Sequence, residues 1–360
     1  MKSVYAELRP ELDAAYHRVM ESGWYVLGKE VEAFEAEYAA FCGTKHCIGV
    51  GNGLEALELV LRCWDIGAGD EVVVPSNTYI ATWLAVEAVG ATVVPVEPTT
   101  DGPNLDPERI DAALTPRTRA IMPVHLYGEP ADMDAIMAIA SRHGLKVVED
   151  VAQAQGARVR GRRTGALGHA GAHSFFPTKN IGAFGDGGAV TTDDDGLADR
   201  LRTLRNYGSR IKYVNIERGV NSRLDELQAA FLRVKLGKLD EWNERRRALA
   251  ACYDDKLAGI PGLGLPRVPQ WAEPVWHLYV VRTMRRADVV KALEAAGIGS
   301  LIHYPIPPHL QQAYADLGLG KGAYPLAERL AETVLSLPMG PHLSIEEVDE
   351  IAQVVRASLA

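Results

Sequence analysis

The chain has 360 residues, 47% of them hydrophobic, so it can bury a large core in two domains or in one domain with a smaller companion. Its formal net charge is −9 and it has no run of Lys and Arg, which argues against nucleic acid as a partner. The N-terminus is polar from Lys2 to Glu7, unlike a signal peptide, and Glu87 and Gly90 interrupt the most apolar stretch, so no membrane span is predicted. We therefore expect a cytoplasmic protein.

Short β-rich runs alternate with helical periodicity in the first half of the chain. Strands are predicted at residues 46–50, 71–75, 92–97, 120–125 and 146–150. Helices are predicted between them at residues 54–64, 80–89, 107–114 and 133–143. Apolar strands joined by helical crossovers are typical of a mostly parallel sheet covered on both faces.

The second half of the chain predicts the end of this sheet and then a smaller α+β unit. Further strands are expected at residues 172–176, 188–192 and 277–282, and helices at 198–206 and 287–296. One long helix at 224–257 is expected to connect two domains, and the last helix begins with a capping box of Ser344 and Glu347. We place a large domain at residues 1–245 and a small domain at 246–360.

The cysteines and histidines predict neither a disulfide framework nor a metal site. No CxxC pair is present, and no His or Cys cluster has metal-ligand spacing. Isolated histidines such as His125 and His173 are expected to be structural. Reduced thiols are expected at Cys42, Cys47, Cys63 and Cys252.

A glycine-rich loop follows the first strand and opens a helix. The run Gly49-Val50-Gly51-Asn52-Gly53-Leu54 could hold a phosphate, because backbone N–H groups and the positive end of the helix meet there. A dinucleotide site would need an acidic residue after the next strand, which instead ends in Pro75-Ser76-Asn77. A phosphate site is therefore favoured over a dinucleotide site, with an ordinary tight turn as the alternative.

Side chains that could act in catalysis or cofactor binding lie at the ends of two later strands. Asp150 ends one strand and Gln153 follows it; the alternative role for Asp150 is a helix N-cap. Lys179 follows an apolar strand and precedes a run of glycines, and alone it could be a surface lysine. A phosphate cradle, an acid and a lysine on loops of one sheet are what pyridoxal 5′-phosphate (PLP) requires. The phosphate anchors PLP, the acid keeps the pyridine nitrogen protonated, and the lysine binds the aldehyde.

At these residues the chain resembles the DegT/DnrJ/EryC1/StrS family of PLP-dependent sugar aminotransferases, nearly from end to end. The resemblance implies an α/β fold of type I, with a mostly parallel seven-stranded sheet between helices in a large PLP-binding domain and a small C-terminal α+β domain. It assigns Lys179 as the catalytic lysine and Asp150 as the partner of the pyridine nitrogen. The other cofactor contacts that it implies are Gln153 at the ring hydroxyl, Ser174, Gly53 and Leu54 at the phosphate, and Tyr79 on the ring face. For Tyr79, core packing is the alternative.

The resemblance also implies a homodimer with shared active sites. Asn221 matches an asparagine that reaches the cofactor phosphate of the neighbouring subunit; a helix N-cap is a second, compatible role. One departure is Gln155, where relatives usually have histidine, so the role of that side chain is open.

Lysine at position 179 favours transamination, since the related sugar dehydratases carry histidine there. L-glutamate is the implied donor and a nucleotide-linked keto sugar the acceptor. Residues 179–182 and 185–188 resemble the branch that aminates carbon 3, and residues 206–213 resemble members that act on dTDP-3-keto-6-deoxyhexoses, giving dTDP-3-amino-3,6-dideoxyhexoses. The substrate contacts implied are Tyr207, Lys212, His303 and Tyr304; for the last two, a packed Pro-rich connection is the alternative.

Other functions stay open at this point. Within the family, the acceptor could be a UDP-linked 3-keto sugar or a 4-keto sugar. From other classes, the chain could be a regulatory protein with a PLP fold and no turnover, or a PLP-dependent sugar dehydratase. Lys179, Asp150 and Gln153 together argue against both of these.

Overall fold

The computed structural model describes residues 2–360, which form thirteen α-helices and fourteen β-strands. The helices are α1 Lys2–Glu7, α2 Arg9–Ser22, α3 Lys29–Cys42, α4 Gly53–Cys63, α5 Ala81–Ala88, α6 Ile110–Ala113, α7 Met133–His143, α8 Asp195–Leu204, α9 Glu226–Leu236, α10 Leu239–Leu257, α11 Arg286–Ala295, α12 Pro325–Thr333 and α13 Ile345–Leu359. The strands are β1 His46–Val50, β2 Glu71–Pro75, β3 Thr92–Val96, β4 Thr118–Ile121, β5 Lys146–Asp150, β6 Arg158–Val159, β7 Arg162–Arg163, β8 Ala170–Ser174, β9 Gly188–Thr192, β10 Ser209–Ile211, β11 Val214–Asn215, β12 Ala272–Glu273, β13 Tyr279–Arg282 and β14 Val334–Leu337.

A seven-stranded sheet in the order β1-β9-β8-β5-β4-β2-β3 forms the centre of the molecule. Only β9 runs antiparallel to its neighbours β1 and β8; the other pairs are parallel. All five residues of β2 are buried, as expected for a strand covered on both faces by crossover helices. The predicted fold class, a mostly parallel seven-stranded sheet between helices, is confirmed.

The expectation of one helix at residues 224–257 is wrong. The chain forms two helices, α9 and α10, which are separated at Gly237 and Lys238. Glycine is about 1 kcal/mol less favourable than alanine inside a helix, so Gly237 is a natural place for the helix to end. The capping box at Ser344 and Glu347 is confirmed, with both reciprocal hydrogen bonds present at the start of α13.

Besides the core around the central sheet, an apolar core lies in the C-terminal part of the chain. It packs α10, α11 and α13 against β13 and β14, which pair with each other. Tyr253 of α10 and Tyr279 of β13 are fully buried and their rings stack at 4.6 Å. The boundary predicted between residues 245 and 246 falls inside α10 and stays a prediction.

Between Lys2 and Ala360 no helix is long and apolar enough to cross a membrane. In the same range no group of three or more His, Cys, Asp or Glu side chains is arranged to hold a metal ion. All four cysteines are free thiols; Cys252 is half-buried and the other three are buried.

A buried carboxylate fixes the carboxyl end of β5. Glu149 accepts hydrogen bonds from the backbone N–H groups of Gly165, Leu167 and Gly168 at 2.8–2.9 Å. It also bonds to Nε2 of His125 at 2.9 Å, and since Nδ1 of His125 accepts from the Ala131 N–H, Nε2 carries the proton. Burial opposes ionisation, but these hydrogen bonds hold the pKa of Glu149 below its usual range.

Replacing Glu149 with Gln should therefore destabilise the fold. Every partner of Glu149 is a donor, so the amide NH₂ of glutamine would be buried without an acceptor, at a cost of about 2 kcal/mol in the free energy of unfolding. Urea denaturation measures this loss. The control is Glu273→Gln on exposed β12, expected to change stability by less than about 0.5 kcal/mol. Equal stability of the two variants would contradict this role for Glu149.

Candidate active site

The predicted catalytic groups follow two neighbouring strands. Asp150 is the last residue of β5, and it pairs in register with Ala172 of β8. β8 ends at Ser174, and the loop that follows turns back through a hydrogen bond from the Lys179 N–H to the Phe176 carbonyl. Because β5 and β8 are parallel, both groups leave the same edge of the sheet, where ligands bind in open α/β folds.

Asp150 is buried and held by two hydrogen bonds. Its Oδ2 accepts from Oγ1 of Thr82 at 3.0 Å, and its Oδ1 accepts from the Ala152 N–H at 3.1 Å. No helix begins after Asp150, so the alternative of an N-cap is wrong. Burial raises the pKa of Asp150, while the two hydrogen bonds and the charge of Lys179 oppose that shift. Thr82, the third residue of the predicted helix at 80–89, was not singled out from the sequence.

Lys179 is half-buried and electrostatically coupled to Asp150. Burial lowers the pKa of its ammonium group to about 8, and the nearby carboxylate of Asp150 opposes the shift. A lysine of this kind has a substantial fraction of neutral amine near neutral pH, which is the form that attacks an aldehyde. The alternative of an ordinary surface lysine is therefore wrong.

The glycine loop and the end of β8 meet at the first turn of α4. Asn52 caps the helix through its side chain, which accepts from the Glu55 N–H. A Cβ on Gly53 would lie 2.6 Å from Cβ of Ser174, so only glycine allows this approach. The N–H groups of Gly53 and Leu54 open the helix, where donors have no intrahelical acceptor, and Ser174 lies beside the same turn. An anionic group fits such a helix start.

Ser222 ties the segment of Asn221 to the glycine loop. Its Oγ accepts from the Gly51 N–H at 3.0 Å, a contact across 171 residues that no local pattern indicates. Asn221 itself is exposed, and its backbone forms an isolated antiparallel β-bridge with Asn206. Since α9 begins at Glu226, the alternative of Asn221 as its N-cap is wrong.

Gln153 links the segment after β5 to the segment of His303 and Tyr304. Its Oε1 accepts from the Tyr127 N–H at 2.7 Å, and its Nε2 donates to the Tyr304 hydroxyl at 3.0 Å. The Tyr127 hydroxyl in turn donates to the His303 carbonyl. Nε2 of Gln153 has a second hydrogen, which remains available to a ligand. Tyr127 was missed from the sequence. Its positive φ of 62° is an unusual backbone position for a residue other than glycine, but it is visible only in the structure.

Two aromatic rings, those of Tyr79 and Tyr304, lie next to Gln153. The Tyr79 and Tyr304 rings are 5.3 Å apart between centroids, at an angle of 35°. Tyr79 is 53% exposed, so it is not a core residue and that alternative is wrong. Nδ1 of His303 bonds to Oγ of Ser336 on β14, which fixes the His303 ring.

Gln155 supports the end of β8 instead of facing a ligand. Its side-chain Nε2 donates to the Ser174 carbonyl at 2.8 Å, and its backbone carbonyl accepts from Nδ2 of Asn243. Its Oε1 is buried without a hydrogen-bond partner. The side chain therefore positions the strand end from which the Lys179 loop departs.

The remaining predicted substrate residues lie on a separate hairpin. The Lys212 ammonium lies over the Tyr213 ring, which is 88% exposed, and the Tyr207 ring faces the Arg223 guanidinium. Among the described residues, no hydrogen bond, ion pair or ring contact joins Tyr207 or Lys212 to Lys179. A single chain thus does not bring these two residues into the site.

The DegT/DnrJ/EryC1/StrS aminotransferase family matches residues 7–356. The chain belongs to this family. It is 58% identical over 99% of its length to dTDP-3-amino-3,4,6-trideoxy-alpha-D-glucose transaminase of Streptomyces venezuelae, covering 94% of that protein. It is 51% identical, over 99% of its length and 97% of the relative, to dTDP-3-amino-3,6-dideoxy-alpha-D-galactopyranose transaminase of Aneurinibacillus thermoaerophilus.

Solved structures of family members superpose closely on the chain. DesV of S. venezuelae gives a TM-score of 0.98 at 58% identity, covering 99% of this chain and 96% of that one. NtdA of Bacillus subtilis, solved with bound cofactor PMP, gives 0.92 at 30% identity, covering 98% of this chain and 82% of that one. The family and these neighbours are PLP-dependent aminotransferases.

The environment of Lys179 predicts early deprotonation as the pH rises. Its amine should be half neutral near pH 8, whereas an ordinary lysine, with a pKa near 10.4, is still mostly protonated there. Acetylation of the cofactor-free protein with limiting acetic anhydride at pH 6–11, followed by peptide mass spectrometry, measures the midpoint. A midpoint for Lys179 close to that of an ordinary lysine would contradict the proposed desolvation.

Proposed function

We propose that this protein is a PLP-dependent aminotransferase that transfers the amino group of L-glutamate to carbon 3 of a dTDP-3-keto-6-deoxyhexose. The observation that carries the proposal is the pair of Asp150 and Lys179 at adjacent strand ends, one buried and the other a lysine with a lowered pKa. Such perturbed pairs occur where an enzyme uses the groups. The product would be a dTDP-3-amino-3,6-dideoxyhexose.

The described residues fit PLP. The N–H groups of Gly53 and Leu54, together with Ser174, would hold the phosphate, since the first turn of α4 offers donors and Ser174 lies against it. Asp150 would pair with the pyridine nitrogen, and Gln153 would offer its free N–H to the ring hydroxyl. When bound, PLP supplies an aldehyde that combines with amines and a ring that takes up electrons.

The chain supplies proton transfer and orientation. The Lys179 amine would move a proton from Cα of the donor to the aldehyde carbon of the cofactor and, in the reverse half-reaction, from that carbon to carbon 3 of the sugar, a role that needs a pKa near the working pH. The Asp150 carboxylate, kept in place by Thr82 and Ala152, would keep a proton on the ring nitrogen by charge attraction. The exposed face of Tyr79 would stack on the ring.

The names of the relatives favour carbon 3 and dTDP. Two transaminases named for dTDP-3-amino sugars are 58% and 51% identical to the chain. The rival is an acceptor linked to UDP: an aminotransferase named for UDP-N-acetyl-3-dehydro-alpha-D-glucosamine is 45% identical, and one for UDP-2-acetamido-2-deoxy-3-oxo-D-glucuronate is 43% identical. The two dTDP relatives themselves differ at carbon 4, so that position stays open.

A homodimer is part of the proposal. Asn221 is exposed, and its recorded partner among the described residues is Asn206, through the backbone, which leaves its side chain free to serve a second subunit. Large aromatic side chains are also exposed, with Trp24 at 59%, Tyr25 at 50% and Tyr213 at 88%. Tyr and Trp side chains are enriched at protein interfaces. Tyr207 and Lys212 would then reach the substrate of the partner.

A regulatory function is the second candidate. One relative, 57% identical, is named erythromycin biosynthesis sensory transduction protein EryC1, and another, 44% identical, is named a pleiotropic regulatory protein. A regulator needs no amine of lowered pKa beside a buried carboxylate. Enzymatic turnover therefore stays the favoured function.

The first test follows the visible absorbance of the protein with bound PLP. Adding L-glutamate should bleach the band, and a dTDP-3-keto-6-deoxyhexose should restore it. In Lys179→Ala, turnover should fall by roughly 10⁴-fold or more, since general acid–base catalysis alone contributes 10²–10⁴ and the covalent attachment is also lost. Lys291→Ala, which changes an exposed lysine of α11, is the control. An unchanged band with glutamate would favour the regulatory function.

A second test addresses the shared site. Asn221→Ala should release PLP at least about tenfold faster on dialysis, because a hydrogen bond to a charged group contributes about 1.5–3 kcal/mol. Mixing the Asn221→Ala and Lys179→Ala proteins under conditions that exchange subunits should create one intact site per mixed dimer. Recovered PLP retention and turnover would support the intersubunit role. No recovery after subunit exchange would contradict it.

A further inference from the structure

Thr82 is the second residue of α5, yet its hydroxyl does not cap that helix. A threonine at the start of a helix usually accepts a hydrogen bond from a backbone N–H of the first turn. Here Oγ1 of Thr82 donates instead to Oδ2 of Asp150 at 3.0 Å, across 68 residues of sequence. Both side chains are buried, since Thr82 is 1% and Asp150 is 6% exposed. The hydroxyl of Thr82 therefore acts on Asp150 and not on its own helix.

A second buried hydroxyl, that of Thr78, fixes the direction of this hydrogen bond. Oγ1 of Thr78 lies 3.0 Å from Oγ1 of Thr82, and Thr78 is 2% exposed. A hydroxyl has one hydrogen to donate, and an ionised carboxylate can only accept. Since Thr82 donates to Asp150, Thr78 must donate to Thr82. Hydrogen bonds in such a chain polarise and strengthen one another, so both hydroxyls act on the carboxylate.

The ionisation of Asp150 depends on this chain of hydroxyls. Burial raises the pKa of Asp150, and hydrogen bonds from the Ala152 N–H and the Thr82 hydroxyl oppose the shift. The titratable groups on neighbouring segments that interact with the carboxyl group are Lys179, His125 and Tyr304. Of the two hydrogen-bond donors only Thr82 uses a side chain. Substitution at Thr82 can therefore change the acidity of Asp150 without changing any of these charged groups.

The acidity of Asp150 decides where a shared proton lies. In the proposed site the carboxylate pairs with the pyridine nitrogen of PLP, and the two groups compete for one proton. A carboxylate that accepts hydrogen bonds is a weaker base, so the proton stays on the nitrogen and the ring keeps its capacity to take up electrons. Loss of the Thr82 donor would move the proton toward Asp150 and reduce that capacity.

We propose that Thr82, held by Thr78, is a positioning residue whose hydroxyl keeps Asp150 ionised and thereby keeps the cofactor nitrogen protonated. The inference rests on the proposed PLP-dependent function, which assigns Asp150 to that nitrogen. Thr82 acts through Asp150 and needs no contact of its own with cofactor or substrate. The alternative is that the hydroxyl only anchors the start of α5, and with it Tyr79, whose carbonyl accepts from the Thr82 N–H.

Thr82→Val tests the inference, because it removes the hydroxyl and keeps a β-branched side chain of similar shape. The protein is loaded with PLP that carries ¹⁵N at the ring nitrogen and is studied by ¹⁵N NMR at neutral pH. In Thr82→Val the ratio of protonated to neutral nitrogen should fall roughly 10- to 100-fold, as expected for a lost hydrogen bond to a charged group. Thr82→Ser keeps the hydroxyl and should restore the original signal.

A second measurement needs no cofactor. Aspartate labelled with ¹³C at the carboxyl carbon allows Asp150 to be titrated in the cofactor-free protein, and Asp150→Asn identifies its signal. Thr82→Val should make Asp150 roughly 10- to 100-fold easier to protonate, so that its titration midpoint moves to higher pH. Thr82→Ala, which removes the hydroxyl without adding volume, should move it in the same direction.

Two further variants serve as comparisons. Thr333→Val is the control, because Thr333 is a buried threonine whose hydroxyl donates to the Arg329 carbonyl of its own helix, α12; neither signal should change. Thr78→Val should move both signals in the same direction as Thr82→Val, but by a few-fold at most, since Thr82 keeps its hydrogen for Asp150. An effect as large as that of Thr82→Val would contradict the direction assigned to the chain.

The outcomes separate this inference from the proposed function. If Asp150→Asn leaves the ¹⁵N signal unchanged, the pairing of Asp150 with the ring nitrogen is wrong, and this inference is overturned with it. If Asp150→Asn changes the ¹⁵N signal and Thr82→Val does not, only this inference is overturned and Thr82 merely anchors α5. Changes of both signals in Thr82→Val that Thr82→Ser reverses would support the inference, whether or not the protein transfers an amino group.

Discussion

The electrostatic coupling of Asp150 and Lys179 in a partly desolvated interior is the interaction on which the site depends. Burial alone would neutralise both groups, raising the pKa of the acid and lowering that of the amine, and each charge opposes the shift of the other. The balance leaves a lysine whose amine is accessible near neutral pH. It also requires that the ends of β5 and β8 stay in register, which Glu149 and Gln155 secure through buried hydrogen bonds.

Close backbone approaches bring the predicted phosphate-binding elements to the same place. A Cβ on Gly188 of β9 would lie 2.4 Å from the carbonyl of Asn52, and Gly53 approaches Ser174 as closely. The antiparallel strand β9, inserted between β1 and β8, is therefore what seats the start of α4 against the end of β8. The start of α4, the acid and the lysine are fixed to one sheet, and precise placement of this kind is what the proposed proton transfer needs.

The sequence was sufficient to predict the central sheet and the residues that follow its strands, because apolar strands and the residues after them are local patterns. Asp150 and Lys179 could be found in this way. Thr82, Ser222 and Tyr127 could not, since their contacts to Asp150, Gly51 and Gln153 cross 26 to 171 residues and leave no periodic signal. The burial of the Thr78 and Thr82 hydroxyls was also hidden, because burial depends on how α5 packs, and a threonine is usually exposed.

The most direct test of the central claim is the fate of nitrogen. The purified protein with PLP, L-[¹⁵N]glutamate and a dTDP-3-keto-6-deoxyhexose should yield a sugar in which NMR finds ¹⁵N bonded to carbon 3, with 2-oxoglutarate formed in equal amount. This result would establish the donor, the acceptor and the position together. ¹⁵N on carbon 4, or no transfer while PLP is bound, would contradict the account.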